Sequence, residues 1–365
     1  MRVALAHMYT FRFLRGIERY VVNMANALAR QGAEAVVVTG RTEAPRTADR
    51  LDPRVSVHAV PHYRWHKVTF VPGFLADFLG ERYDALSLML ARGEGWAAAI
   101  ADRIRPLGFN IVFHFPGEGH EKQYRAFARL GLARRARHLI AVSHYVARDV
   151  ERWFGRRATV IPNGVDADKF RYDGAVRRTV REELGLADDD WLVITVGSIE
   201  GRKGTQHLIA AMPRLLARAR GRRVLYAHVG DGAPEQRAAF EAHVRRAGIE
   251  PYVRLLGFKE APERYYSAAD AFVMLSHHEA FGIVAIEALA TGLPVVVSEG
   301  SAFPEIVPPG VGRLVPPDDP DRVADALGAV LAAGRPGEAA RRPTISRFAW
   351  DAVAARYLDT VREAS

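Results

Sequence analysis

The chain has 365 residues, 49% apolar and 25% charged, the makeup of a globular protein long enough for two domains, each with its own core. It has no cysteine, which excludes disulfides, thiolate metal sites and cysteine nucleophiles, and no apolar run near the ~20 residues of a membrane-spanning helix. The net charge of +9 is uneven: residues 1–185 carry 30 Lys+Arg against 19 Asp+Glu, net +11, and residues 186–365 carry 21 against 23, net −2, which suits the first half to an anionic partner such as nucleic acid, anionic lipid or a phosphorylated acceptor.

The opening MRVALAHM reads as a strand and lacks the length and cleavage site of a signal peptide, so a cytoplasmic protein is expected. After VALA (3–6) comes a helix with Ile17, Val21, Met24 and Leu28 on one face and Gly32 as its stop. The apolar runs AVVVT (35–39), NIVFHF (110–115) and HLIAVS (138–143) then alternate with helical patterns. The second half repeats the rhythm with WLVITVG (191–197), RVLYAHVG (223–230), AFVML (271–275) and LPVVVS (293–298). Runs this apolar, separated by helices, read as parallel strands buried on both faces, which predicts an α/β chain of two βαβ-type domains. The junction falls near 163–190, where IPNGVD turns the chain and a charged stretch ends in LADDDW. The expected domains are 1–168 and 169–347, with an amphipathic helix over 348–365 packing back on the first.

Two stretches of the second half carry chemistry. In HHEAFGIVAIEALATGLPVVVS (277–298), Phe281, Gly282 and Ile283 begin a helix whose first backbone N–H groups are unpaired, and Gly282 lets an anion approach them closely. Glu287 stands among Ile286, Ala288 and Leu289, an expensive place for a carboxylate unless hydroxyl groups such as a vicinal diol donate to it. Glu279, just outside the helix, can reach a further hydroxylated group. A nucleotide-sugar satisfies all three features, with ribose on Glu287, diphosphate at the helix start and sugar near Glu279. The second stretch, VGSIEGRKG (196–204), follows a strand and precedes a helix, so it lies on the carboxyl edge where α/β sheets bind ligands. Arg202 and Lys203 bring two cations, and the GxxxxGK[ST] spacing of a P-loop is absent.

Together these segments resemble the retaining family-four glycosyltransferases of the GT-B fold. RGIERYVVNMANALARQGAEAVVVT, IPNGVD, VGSIEGRKG, LLGF (255–258), the Glu-x7-Glu segment and the final FAW helix stand in that family's order. The serine form of the basic loop looks most like that of the lipopolysaccharide-core glucosyltransferases. The resemblance implies two Rossmann-like domains facing each other across a cleft, the first binding acceptor and the second the nucleotide-sugar. It implies that Arg202 and Lys203 neutralise the leaving diphosphate, with Gly16 and the amides of Phe281, Gly282 and Ile283 completing the cradle. Glu287 would hold the ribose, Glu279 would orient the transferred sugar, and Gly257 and Phe258 would line the base pocket. His114 matches the position where relatives set a histidine against the donor sugar, and His120 is a weaker second. The implied reaction moves a hexose from a UDP-, GDP- or ADP-sugar to an acceptor hydroxyl with retention, in lipopolysaccharide, glycolipid or other cell-surface glycan synthesis. No cofactor and no metal is called for, because the cations and the helix dipole do that work. Asp188, Asp189 and Asp190 are read as a solvated turn rather than a metal-binding motif.

EKQYRAFARLGLARRARH (121–138) interleaves Lys122, Arg125, Arg129, Arg134, Arg135 and Arg137 with Tyr124, Phe127, Leu130 and Leu132. It reads either as a surface for anionic membranes and lipid-linked or polysaccharide acceptors, or as a solvated helix packing its apolar side on the sheet. No nucleic-acid-binding motif accompanies the charge. A nicotinamide-dependent dehydrogenase is excluded by the first loop, HMYTFRFLRG, which has no GxGxxG, and by the second strand's ending in Thr39-Gly40-Arg41 rather than an acid. A sugar-nucleotide epimerase of the same fold and a non-catalytic nucleotide-sugar binder are the alternatives that remain.

Overall fold

Runs such as VALA, AVVVT and LPVVVS are β-branched and apolar on both faces, so they are stable only as inner strands covered by helices on either side. The computed structural model describes residues 1–8, 10, 16–41, 50–61, 71–89, 93–115, 120–219 and 221–363. It divides into two units, Met1–Gly164 with Trp350–Ser365, and Val165–Ala349. The first boundary falls a few residues before the expected 168/169.

Among the described residues the first unit holds seven parallel strands: β1 (Arg2–Ala6), β2 (Glu34–Gly40), β3 (Ser56–Val60), β4 (Ala85–Leu88), β5 (Phe109–Phe113), β6 (Leu139–Ala141) and β7 (Thr159–Val160). Their order is β3-β2-β1-β4-β5-β6-β7, with β1 paired to β2 through Val3↔Ala35 and to β4 through Val3↔Ala85. The helix Gly16–Arg30 buries Val21, Met24 and Leu28, and the chain leaves it through Gly32 at φ +80°. The C-terminal pattern is broken at Ala349: Phe348 ends the helix Glu338–Phe348, and a new helix, Trp350–Arg362, returns to the first unit. There Trp350, Val353 and Tyr357 join the core under β1 and β2, and the Tyr357 hydroxyl meets Ser87 Oγ at 2.6 Å. Gly164 of IPNGVD packs directly on the Trp350 ring, where a Cβ would overlap it.

The second unit holds β8 (Trp191–Val196), β9 (Val224–Val229), β10 (Val253–Gly257), β11 (Ala271–Met274), β12 (Val295–Ser298) and β13 (Gly312–Val315). All pair in parallel, in the order β10-β9-β8-β11-β12-β13. The chain lays β8, β9 and β10 outward in one direction, then returns to the far side of β8 and continues through β12 and β13 the other way. The reversal lies between β8 and β11. In open α/β sheets this is where the outgoing loops diverge and leave a crevice for ligands.

The basic segment forms the helices Glu121–Arg129 and Leu132–Arg135. Tyr124, Phe127 and Leu132 are buried, with Tyr124 and Phe127 against Phe113, so the apolar side is spent on the fold. Lys122, Arg125, Arg129, Arg134 and Arg137 remain exposed, while Arg135 turns inward to the Asp102 carboxylate at 3.5 Å. Among the described residues, no helix is long and apolar enough to cross a membrane.

Candidate functional site

The loop leaving β8 is short and tightly held. Gly204 has φ +73°, and a Cβ there would fall on the backbone carbonyl of Leu275, just past β11. Only glycine permits that approach, and it draws the turn Gly201–Lys203 onto the β11 loop. Lys203 Nζ accordingly donates to Glu279 Oε2 at 2.8 Å, the two side chains being 16% and 14% exposed. Arg202 stands further out, 53% exposed, and its Nε donates to Glu200 Oε2 at 2.6 Å. The Ser198 hydroxyl donates to the other Glu200 oxygen at 2.6 Å. Burial raises the Glu200 pKa, but the Ser198 hydroxyl and the Arg202 charge outweigh it and the net shift is downward, keeping this side chain anionic.

Past Glu279 the chain enters the helix Ile283–Ala290 through Gly282 at φ +92°. A Cβ on Gly282 would lie 2.7 Å from the Phe303 ring, so strain and crowding both require glycine. Phe281 is buried edge-on against Phe348. Glu287 is 4% exposed, and the buried Tyr266 hydroxyl donates to its Oε2 at 2.8 Å. The chain itself thus provides one of the donors that the sequence alone assigned to a ligand's hydroxyls. Gly257 ends β10 at φ +70°, its carbonyl accepting from Gly230 N–H at 2.9 Å, and Phe258 beside it is 60% exposed. Arg202, Lys203, Glu279, Gly282, Gly257 and Phe258 therefore share the carboxyl edge of one sheet, with Lys203 and Glu279 at its reversal.

Gly16 and His114 belong to the first unit. Gly16 is the first residue of its helix, exposed, while Arg15 and the loop before it lie outside the described residues. His114 directly follows β5 and packs edge-on against Tyr20 at 4.4 Å. Its Nε2 is buried with no hydrogen-bond partner among the described residues. Burial, with a smaller contribution from His7, pulls its pKa down to about 3, so the ring is neutral at physiological pH and is suited to hydrogen bonding rather than acid–base work. His120 is exposed and stacks on Phe115 at 4.5 Å. The acidic run forms an exposed turn in which Asp190 Oδ2 accepts from Ala187 N–H at 2.8 Å.

Two features escaped the sequence reading. Tyr266, 21 positions from Glu287, carried no signal that it would meet it. Ser301, after β12, has φ +61°, an uncommon conformation for a residue with a side chain, and its buried Oγ has no partner among the described residues. Its neighbour Ala302 donates N–H to the Glu279 carbonyl at 3.2 Å, which places this strained turn against the Glu279 loop.

The comparisons with known proteins agree with this layout. Residues 176–343 match the model for glycosyl transferases group 1, and residues 14–169 match glycosyltransferase family 4. The chain is 30% identical to a D-inositol 3-phosphate glycosyltransferase of Xylanimonas cellulosilytica, over 96% of this chain and 92% of that one. Among solved structures, sucrose-phosphate synthase from Thermosynechococcus elongatus superposes with TM-score 0.81 at 24% identity, covering 99% of this chain and 98% of that one. Anabaena HepE in complex with UDP-glucose superposes with TM-score 0.81 at 21% identity over the whole of both chains. The chain belongs to the group 1, family-four glycosyltransferases, built on the two Rossmann-like α/β domains of the GT-B fold.

Proposed function

We propose that this glycosyltransferase moves a hexose from a nucleotide-diphosphate sugar to an acceptor hydroxyl with retention of anomeric configuration, without a metal ion in the chemistry. The observation that carries the proposal is the Lys203–Glu279 pair at the reversal of the second sheet, flanked by Arg202 and the N-terminus of the helix Ile283–Ala290. Lys203 and Arg202 neutralise the diphosphate as the glycosidic C–O bond breaks, helped by the amides of Phe281, Gly282 and Ile283. Glu287, braced by Tyr266, receives the ribose, and Phe258 offers an exposed face to the base. Glu279 stabilises positive charge at the anomeric carbon. A carboxylate already held in an ion pair is a weak nucleophile, which supports a route in which the leaving phosphate takes the acceptor's proton on the same face of the sugar.

The acceptor is assigned to the first unit. The cationic face of Lys122, Arg125, Arg129, Arg134 and Arg137 supports an anionic acceptor or a peripheral, purely electrostatic contact with an anionic cytoplasmic membrane face, because the apolar side chains are already buried.

The test starts with a thermal-shift screen of UDP-, GDP- and ADP-sugars, with UDP-glucose first because the HepE structure holds it. The selected donor is then used for product analysis by NMR. Glu287→Ala should weaken donor binding, and Arg202→Ala and Lys203→Ala should mainly slow transfer. Wild-type turnover in all three variants refutes the site, and a donor whose sugar is altered but never transferred identifies an epimerase instead.

A further inference from the structure

Three side chains that the proposed chemistry does not use converge beside it. His207 lies in the first turn of the helix Thr205–Arg218, His277 in the segment after β11, and Asp318 in the turn before the helix Pro320–Ala333. His207 Nε2 and His277 Nε2 are 3.1 Å apart. His207 Nδ1 stands 3.2 Å from Asp318 Oδ1, and His277 Nε2 stands 3.5 Å from the same oxygen. Taking one atom from each residue, all three lie within 4.8 Å of one another, the one such group among the described residues.

Two imidazole nitrogens at 3.1 Å tolerate each other in only two ways. Either they hold opposite tautomers and share one proton, or both turn lone pairs toward a common cation. A separation of 3.1 Å allows both, and a carboxylate oxygen close to both rings adds the third ligand that the second requires. Zn–N bonds of about 2.0–2.1 Å set the ligands of a tetrahedral ion about 3.4 Å apart, and His277 Nε2 stands 3.1 Å from His207 Nε2 and 3.5 Å from Asp318 Oδ1. Two imidazoles and a carboxylate suit late first-row divalent ions and not the all-oxygen shells of Mg²⁺ or Ca²⁺.

We propose that His207, His277 and Asp318 form a binding site for a divalent transition-metal ion of the zinc class, completed by water. Asp318 is 68% exposed and His277 42%, so the site is open and the ion exchanges with solution. The ligands come from three separate segments. His207 is four residues past Lys203 and His277 two before Glu279, so a bound ion staples together the two loops that carry that pair. The ion is a structural clamp, no part of the transfer chemistry, and the inference holds whatever sugar the enzyme moves.

The experiment uses full-length protein without a polyhistidine tag, stripped with chelator and titrated with ZnCl₂ by calorimetry. One ion per chain is expected, with affinity falling at least about tenfold in His207→Ala, His277→Ala and Asp318→Asn. His278→Ala, which removes the adjacent histidine, should bind as wild type does. Zinc should raise the melting temperature of wild type but not of the three variants, and the His277 and Asp318 variants, whose replaced side chains reach solvent, should match the metal-free wild type. Cobalt(II) should give the intense visible bands of a four-coordinate ion, insensitive to millimolar Mg²⁺. Absence of saturable binding overturns the proposal. So does binding that survives in the three variants, or that Mg²⁺ displaces.

Discussion

Glu279→Gln keeps the shape of the side chain and removes the negative charge next to Lys203. The two groups meet at 2.8 Å and are more than four-fifths covered. A diphosphate that binds Lys203 must compete with this carboxylate and then remain close to it. At a separation of about 5 Å and an effective dielectric of about 40, the repulsion is about 1.7 kcal/mol per unit charge. Salt trims this to roughly 1 kcal/mol. The variant should therefore bind the free nucleoside diphosphate about fivefold more tightly. Transfer should change in the opposite sense. Without the carboxylate, positive charge at the anomeric carbon loses its nearest counter-charge, and removal of one such preorganised group costs about 100-fold or more in turnover. Calorimetry with the diphosphate of the selected donor and initial rates with the intact donor read the two effects separately. A merely structural ion pair predicts weaker binding, a lower melting temperature and little change in turnover per folded molecule. That outcome would refute the reasoning.

Two of the glycines of the basic loop, Gly201 and Gly204, should behave differently. Gly204→Ala combines a left-handed φ with overlap on a backbone carbonyl that cannot move aside, and should cost about 3 kcal/mol or more, whereas Gly201→Ala meets nothing within 4 Å and should stay within about 1 kcal/mol of wild type in urea denaturation. His114 gives a pH test. Its folded pKa is depressed to about 3 against an unfolded value of 6.5, so the unfolded chain binds the proton first, and the stability it contributes is complete above pH 6.5 and lost as the pH falls toward 3. Between pH 6.5 and 4.5 the loss should be about 2 kcal/mol, and His114→Gln should remove that part of the slope; an unchanged slope means that the ring is solvated.

What could be read from the sequence was what local physics writes into it. The buried parallel strands show as unbroken apolar runs, and the first helix shows its face at Val21, Met24 and Leu28. The Glu279–Glu287 segment stands out in the sequence because a carboxylate in an apolar helix and a glycine at its start are both costly unless used. The short strands β3, β4, β7 and β13 were not legible; in β4 the buried Ser87 interrupts the run ALSL. Ser56 and Val57 of β3, Thr159 of β7 and Arg313 and Leu314 of β13 are exposed, so at the edges and in the short β7 no double-sided apolar run develops. Tyr266 with Glu287, and His207 with His277 and Asp318, meet only because of the strand order, to which no local pattern corresponds.

Strand order also accounts for the position of the Lys203–Glu279 pair. At every other step of the second sheet, neighbouring outgoing loops lean the same way, and the following helix covers the gap. Between β8 and β11 one loop leaves toward β9 and the other toward β12, so the two loops diverge there. Gly204 touches the Leu275 backbone, which holds Lys203 at a fixed height above the sheet. A lysine and a glutamate in such a crevice are partly shielded from water, so each interaction they make with a ligand counts for more than it does on an open surface. Their hydrogen bond at 2.8 Å holds the two side chains in one orientation. The position of the pair therefore follows from the strand order of the second sheet, which reverses once, between β8 and β11.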